Sequence, residues 1–427
     1  MDNVYDVCII GAGASGLAAA IESSRRGLSC VVVDKNKKPG MKLYATGNGR
    51  CNLTNDTWEE NSYYENEFVD KVYNSLYNIT ELRQRSFILD YFKNLGINTI
   101  NKDGYFYPSS MQASSIVWAL MDAASSSGAE ILERHTCIGI DYIHDPDYAR
   151  HGTDIVYEVK CINKIGDDTY NVNIFSKNII IATGGASQKK LGAADSSLSE
   201  SLFNSLRLDY TDFRPGLCPV TVNDDLSAIA GVRTKAKLSV GRYSEIGEIQ
   251  ITDSGISGIV TFNMSYYMEE GTVVNVNLLP RVSESEFVEY YNLIRGKYSH
   301  KRLDAFLNGY INDKLASYMI EKIYHNKDQK LRLKDVNTSD ISKLYQKLTS
   351  WNLVVKSKAG FDESQASYGG INTDIIDSYT MEIDEDHTIG KGIYAVGEAT
   401  DVMGKCGGYN LTYAFVTGFL AGNAVEV

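Results

Sequence analysis

The stretch VYDVCIIGAGASGLAAAIESSRRGLSCVVVD, residues 4–34, restricts the possible folds more than any other part of the chain. VYDVCII (4–10) is a short apolar run rich in β-branched residues that stops at Gly11, as a buried parallel strand does. ASGLAAAIESSRRG (14–27) has helix composition and closes on a glycine. LSCVVVD (28–34) reads as a second buried strand. Strand, helix and strand in so short a span make a βαβ unit, which calls for a parallel sheet covered by helices. Within it, GAGASG (11–16) is a G-x-G-x-x-G turn that follows a strand and opens a helix. In such a turn Gly11 allows the tight bend, Gly13 lets the backbone approach a pyrophosphate, and Gly16 lets helix and strand pack closely. The N–H groups and dipole of the helix N-terminus, around Ala14 and Ser15, suit phosphate. Asp34, with Lys35 beside it at the end of the second strand, is placed to accept hydrogen bonds from ribose hydroxyls.

This fingerprint fits NAD or FAD, so the rest of the chain has to decide. IIIATGG (179–185) is a buried strand running into Thr183 and Gly184. KGIYAVGEATD (391–401) is a strand running into Gly397 and Glu398, with Asp401 behind them. Polar glycine turns at the carboxyl ends of strands are where open α/β sheets bind ligands. FAD is longer than NAD and has to reach a second strand end to seat its flavin, and two extra turns suit that need. ATGNGRCNLTN (45–55) then reads as a glycine-jointed loop that returns across the cofactor. Gly47 and Gly49 argue against a helix there and permit close approach, and Asn48, Arg50, Asn52 and Asn55 supply donors. No second G-x-G-x-x-G occurs mid-chain, so NAD(P)H is expected only as a transient electron donor at the flavin face.

The remaining pattern describes a split domain. Residues 66–95 and 112–128 look helical, and 129–143, VYEVKCI and YNVNIFSKNIII read as strands. Short alternating segments from about 215 to 281 suggest antiparallel β structure. A charged, helix-periodic stretch over 284–330 suggests a small helical insertion. The expected fold is α/β: a Rossmann-like FAD-binding domain over 1–190 and 359–427, a β-barrel-like insert over 191–283 and 331–358, and a helical insert over 284–330. Net charge of −12 supplies no basic footprint for nucleic acid, and no apolar run is long enough for a membrane span. The N-terminus lacks a signal-peptide pattern. Seven scattered cysteines without C-x-x-C read as reduced thiols of a cytoplasmic protein, and six scattered histidines give no metal site.

Several stretches together resemble the BaiN-like, aminoacetone-oxidase-like family of FAD-binding oxidoreductases. They are GAGASGLAAA, GMKLYATGNGRCNLTN, GYFYPSSMQASSIVWAL, ITDSGISG, YGGINT and GIYAVGEATDVMGKCGGYNLTYAFVTGFLAG. The resemblance spans nearly the whole chain. It implies bound FAD, a small-molecule substrate, and a β-barrel-like insertion that carries a helical one. At the FAD it places Gly11, Gly13, Gly16, Asp34, Thr46, Gly47, Arg50, Cys51, Thr183, Gly184, Gly397, Glu398, Asp401, Gly407, Gly408, Tyr409, Asn410 and Leu411, with Ile138 presenting its backbone to the adenine. Ala14, Ser15, Lys35, Lys42 and Asn48 complete the expected cofactor set. One class of members reduces C=C bonds of oxidised bile acids. The chain departs from the family after Thr183-Gly184-Gly185, where ASQKKLGAADSSLSES replaces a glycine-rich stretch, and this segment is expected to border the substrate site. No catalytic residue stands out. Cys51, Cys406 and Tyr409 are candidates, with Tyr105 and Tyr107 as further proton donors. The expected activity is flavin-mediated hydride transfer, reducing an unsaturated small organic molecule at the expense of NAD(P)H. A peroxide-releasing amine-type oxidase and a non-enzymatic flavin-binding protein are the alternatives.

Overall fold

A computed structural model describes residues 4–57, 62–64, 66–144, 155–165, 168–191, 196–324 and 331–426. The chain divides into two compact units, Met1–Pro215 with Gln365–Val427, and Gly216–Ser364.

The first unit opens with β1 (Val4–Ile10), α1 (Ala14–Arg25) and β2 (Cys30–Asp34). β1 pairs in parallel with β2, Ile10 facing Val33, so both strands end side by side at the GAGASG turn. α2 (Met41–Gly49) and β3 (Thr54–Asn55) follow. The helical stretch expected over 66–95 is two helices, α3 (Asn66–Thr80) and α4 (Gln84–Asn94). Glu81, at φ 59°, breaks the chain between them. β4 (Thr99–Lys102) and β5 (Tyr105–Pro108) form a small sheet with β3, and α5 (Ala113–Ser126) leads back to the main sheet. There β6 (Glu130–Glu133) flanks β2, and β7 (His135–His144), β8 (Ile155–Ile165) and β9 (Asp168–Ile181) form an antiparallel meander. The end of β9 also runs parallel to β1, Ile181 facing Ile10. α6 (Ser196–Ser205) and β10 (Tyr210–Gly216) close this part, so residues expected to open the insert belong to the first unit.

The second unit is a barrel with helices, and its helices run on to Thr349, beyond the 284–330 expected for the helical insert. β11 (Val220–Val222), β12 (Arg233–Val240), β13 (Tyr243–Ile251) and β14 (Gly255–Ser257) precede α7 (Ile259–Met264) and β15 (Val273–Asn277). α8 (Glu284–Lys297), α9 (Leu303–Leu307), α10 (Asp313–Tyr324) and α11 (Thr338–Thr349) come next, and β16 (Trp351–Lys358) completes a closed six-stranded barrel in the order β11-β14-β13-β12-β15-β16. Closure leaves no open sheet edge. Alternate residues of the strands, such as Leu238, Ile249 and Val276, share one buried cluster with Phe287, Tyr291 and Leu344 of the helices. Ser283 starts α8 with a reciprocal capping box to Glu286, which satisfies two otherwise orphaned N–H groups.

β17 (Ala366–Ile371), β18 (Ile393–Ala395) and α12 (Tyr409–Ala424) return to the first unit. β18 adds to the main sheet beside β9 in parallel, making seven strands in all. α12 packs on α1 through glycine. A Cβ at Gly418 would lie 2.2 Å from the Ser15 carbonyl oxygen, and one at Gly422 would lie 2.5 Å from that of Ala19. β1, β9 and β18 thus end at one edge of the sheet, with the helices α1 and α12 above it.

Candidate cofactor site

The turn after β1 is held by backbone and by one carboxylate. The Gly11 N–H donates to the Val33 carbonyl at 2.8 Å. The Ala12 N–H donates to Asp34 Oδ2 at 2.8 Å, and the Asn36 N–H donates to Asp34 Oδ1 at 2.7 Å. Asp34 is therefore a clasp between the two strand ends as well as a candidate ribose acceptor, a second task the spacing alone did not reveal. Burial pushes its carboxyl above the ordinary carboxylate value, against the pull of those N–H groups. Gly11 and Gly16 are required by packing: a Cβ at Gly11 would sit 2.4 Å from the Ala182 oxygen, and one at Gly16 would sit 1.9 Å from the Gly11 oxygen. Gly13 is different. Nothing lies within 4 Å of a Cβ built there, and no side chain caps α1. An uncapped helix N-terminus facing open space has the form of an anion cradle.

Beside this turn lies a pocket lined by Gly11, Asp34, Thr136, Cys137, Thr183 and Ser199 among others. Gly184, at φ +69°, also faces open space. Ile138 is the bulge residue of β7, where the register with β8 shifts between Cys137 and Gly139, so its backbone is freed from the ladder next to the pocket. Leu198, Ser199 and Leu202 of α6 line the same pocket and were missed from the sequence. They belong to or follow the stretch that departs from the family, whose described end therefore borders the Asp34 pocket. Residues 192–195 of that stretch lie outside the described residues.

The 45–55 stretch is not a plain loop. Met41 to Ala45 is a helical turn that docks through the Gly40 N–H onto the Ala12 carbonyl at 2.8 Å. The helix then breaks as the glycines demand: Thr46 is extended, and Gly47 and Asn48 are left-handed at φ 57° and 55°. Gly47 through Arg50 are exposed, while Cys51 through Asn55 are buried. The buried Asn52 Oδ1 has no hydrogen-bond partner among the described residues. A buried acceptor left open is costly unless a ligand supplies the donor. Lys42 reaches from α2 to Glu398 Oε2 at 2.6 Å and to Ser187 Oγ at 2.7 Å. Glu398 Oε1 accepts the Ser367 N–H at 3.0 Å. Ser187 and Ser367 were not foreseen, since only the fold brings them to Glu398.

The 404–411 stretch is stitched to the same loop. Asn55 Nδ2 donates to the Gly407 carbonyl at 2.7 Å, and Thr412 Oγ1 donates to the Leu53 carbonyl at 3.2 Å. Asn410 bonds the Gly404 backbone in both directions, at 2.8 and 2.9 Å. Gly408, at φ +96°, packs its Cα hydrogens against Thr54, and like Gly13 it leaves its helix, α12, without a side-chain cap. The Tyr409 hydroxyl donates to the Thr57 carbonyl at 2.9 Å, and the buried Tyr63 hydroxyl donates to the Tyr409 carbonyl at 2.7 Å. Leu411 follows in the first turn of α12. Tyr105, on β5, packs its ring against the space before Gly407, and Tyr107 does so before Gly47. Behind these groups, the Gly397 N–H donates to Thr417 Oγ1 at 3.0 Å, and Asp401 Oδ1 accepts the Gly369 N–H at 2.7 Å.

The cysteines are free thiols. Burial pushes the Cys51 thiol up to about 12, so it is not a thiolate at neutral pH. Cys406 is half-buried and donates to Gln365 Oε1 at 3.7 Å. Among the described residues no cluster has the composition of a metal site, and no helix is long and apolar enough to cross a membrane. Two uncapped helix N-termini, a carboxylate at the end of the second strand, open space at Gly13 and Gly184 and an orphaned Asn52 oxygen fit an extended dinucleotide such as FAD.

Known proteins resemble this chain along nearly its whole length. A family model described as the HI0933-like protein Rossmann domain matches residues 5–424. The chain is 30% identical over 439 residues to the 3-dehydro-bile acid delta(4,6)-reductase of Clostridium scindens, covering 97% of this chain and 98% of that protein. It is 26% identical over 430 residues to the ribosomal RNA dihydrouridine synthase of Escherichia coli, covering 96% and 95%. Among solved structures, the 3-ketosteroid-delta4-(5alpha)-dehydrogenase of Rhodococcus jostii RHA1 aligns over 99% of this chain and 97% of that one, at 13% identity and a TM-score of 0.45. The chain belongs to the HI0933-like Rossmann family and is an FAD-dependent oxidoreductase.

Proposed function

We propose that this enzyme saturates a carbon–carbon double bond conjugated to a carbonyl in a small organic molecule, with NAD(P)H as reductant. The observation that carries the reading is the full-length likeness to two kinds of relative whose names describe one bond change. A delta(4,6)-reductase of a 3-oxo acid and a synthase of dihydrouridine both add two hydrogens across a C=C bond in conjugation with a carbonyl. A small molecule is favoured over an RNA base because a net charge of −12 opposes a phosphodiester backbone.

In this reading the α1 N-terminus at Gly13, Ala14 and Ser15 holds the FAD pyrophosphate. Asp34, Lys35, Ile138, Thr183 and Gly184 surround the adenosine. Lys42, Glu398 and Asp401 hold the ribityl region, and Thr46, Gly47, Asn48, Arg50 and Cys51 fold over the cofactor. Gly407, Gly408, Tyr409, Asn410 and Leu411 present the α12 N-terminus to the flavin ring, where its dipole favours negative charge. Bound FAD would supply hydride transfer. The chain's own task is to fix the ring against the 404–411 backbone and to exclude water. Tyr105 and Tyr107 are the candidates to deliver the accompanying proton.

The test is NADPH or NADH oxidation in the presence of a 3-oxo steroid with a 4,5 double bond, uridine, and an RNA oligonucleotide containing uridine. Acceptor-dependent oxidation with a product heavier by two hydrogen atoms supports the reading, and turnover only on the RNA moves the substrate to a nucleic-acid base. Peroxide release from an amine, with no acceptor-dependent NAD(P)H oxidation, would overturn it in favour of an oxidase.

A further inference from the structure

Four of the seven cysteines lie on strands of the main sheet: Cys8 on β1, Cys30 on β2, Cys137 on β7 and Cys161 on β8. Only one pair of them is directly opposed. Cys137 and Cys161 face each other across the antiparallel β7–β8 ladder. Directly opposite residues in such a ladder have Cα atoms about 4.5–5.5 Å apart, inside the range of about 4.4–6.8 Å that a disulfide spans. Cys137 donates to the Gly139 carbonyl at 3.8 Å. The two thiols differ in access. Cys137 lines the pocket that holds Asp34 and Thr183, whereas Cys161 lies behind it at 1% exposure. The next residue, Ile138, is the bulge where the ladder already shifts register, so closing the pair need not drag a regular strand.

We propose that Cys137 is a site of reversible oxidation that forms a disulfide with Cys161 when the Asp34 pocket is open, and that a bound adenosine moiety protects it. The oxidant is a hydroperoxide, with hydrogen peroxide the simplest. The Cys137 sulfur attacks one peroxide oxygen and the O–O bond breaks, leaving a sulfenic acid and one water. The Cys161 sulfur then attacks the sulfenic sulfur, the S–O bond breaks, and the hydroxyl leaves as a second water with the Cys161 proton. Two thiols lose two electrons and the peroxide gains them. Cys137 lines the pocket while Cys161 is almost fully buried, so peroxide reaches Cys137 first and it is the attacking sulfur. Burial pushes Cys30 up to about 12 and Cys8 well above the ordinary value, so neither competes. The disulfide would fix the β7 bulge beside the pocket and thereby oppose cofactor re-entry.

The protection rests on the cofactor reading given above, while the crosslink does not. The test uses the full chain, stripped of flavin and then with FAD restored, each treated with hydrogen peroxide, blocked with iodoacetamide and digested with trypsin without reduction. Peptide 135–150 joined to peptide 161–164 is the expected product in the stripped protein, formed about tenfold more slowly with FAD restored. Cys161→Ser is expected to lose the joined peptide and leave Cys137 as a sulfenic acid that dimedone captures. A link from Cys137 to Cys8 or Cys30, or over-oxidised Cys137 with no link in the unsubstituted chain, overturns the pairing. Equal rates with a demonstrably bound flavin overturn the protection. A protein that takes up no flavin fails the cofactor reading instead, and the joined peptide still decides the thiol pair.

Discussion

Gly13→Ala separates the needs of the fold from those of the cofactor. Gly13 sits at φ −85° and ψ −165°, a conformation open to any residue, and nothing in the protein lies within 4 Å of the added methyl. The fold loses only a glycine N-cap in favour of a poorer one, about 1 kcal/mol at most. For a unit of this size that lowers Tm by about 2–4 °C. In the proposed reading the same methyl stands where the FAD pyrophosphate approaches the first turn of α1. Each charge-assisted N–H bond contributes about 1.5–3 kcal/mol, so losing two weakens FAD by about 3–6 kcal/mol. That corresponds to a Kd raised about 10²- to 10⁴-fold. Thermal unfolding of the flavin-free protein measures the first effect, and quenching of flavin fluorescence on reconstitution measures the second. Gly16→Ala is the contrast, because its Cβ 1.9 Å from the Gly11 oxygen disrupts the turn itself and lowers stability together with binding. If Gly13→Ala binds FAD within about threefold of the unsubstituted chain, the pyrophosphate is not at this turn and the reasoning fails.

Three further outcomes follow from the same geometry. Because burial raises the Asp34 carboxyl, the folded chain keeps that proton more readily than the unfolded one, and ionisation costs folded stability. Urea unfolding of flavin-free protein across a pH series is expected to show the unsubstituted chain losing stability relative to Asp34→Asn as pH rises from the ordinary carboxylate value through the raised one; a pH-independent difference contradicts this. The Lys42–Glu398 pair, at 2.6 Å with side chains 29% and 20% exposed, is expected to give a coupling of about 1–2 kcal/mol in a Lys42→Met, Glu398→Gln double-mutant cycle. A coupling near zero would show that the two ends of the chain are not joined there. Iodoacetamide on the native protein is expected to label half-buried Cys406 before Cys51, whose thiol is held at about 12. The reverse order, read by peptide mass, refutes the burial of Cys51.

What could be read from the sequence was local and periodic. The β1-α1-β2 unit declares itself because strand, glycine turn and helix follow one another without interruption, and the barrel strands declare themselves by alternation. The glycines of 45–55 correctly argued against a continuous helix, yet the turn Met41–Ala45 before them stayed hidden, since its partner Ala12 lies on another element. The same limit hid Ser187 and Ser367 around Glu398: Lys42 and Glu398 are 356 positions apart, and no spacing rule reaches that far. α6 reached the Asp34 pocket unforeseen because its sequence carries no ligand signature and only the meander β7-β8-β9 brings it there. Asp34, expected from the sequence as a ribose acceptor, also ties Ala12 to the second strand.

We propose that this chain, loaded with FAD, passes hydride from a nicotinamide to a conjugated C=C bond. An anaerobic titration of the purified, FAD-loaded protein with NADPH and with NADH tests it most directly. The visible flavin absorbance is expected to bleach with one of them and to return on addition of a conjugated 3-oxo steroid without oxygen. A bound flavin that neither nicotinamide bleaches, but that an amine reduces, would contradict it.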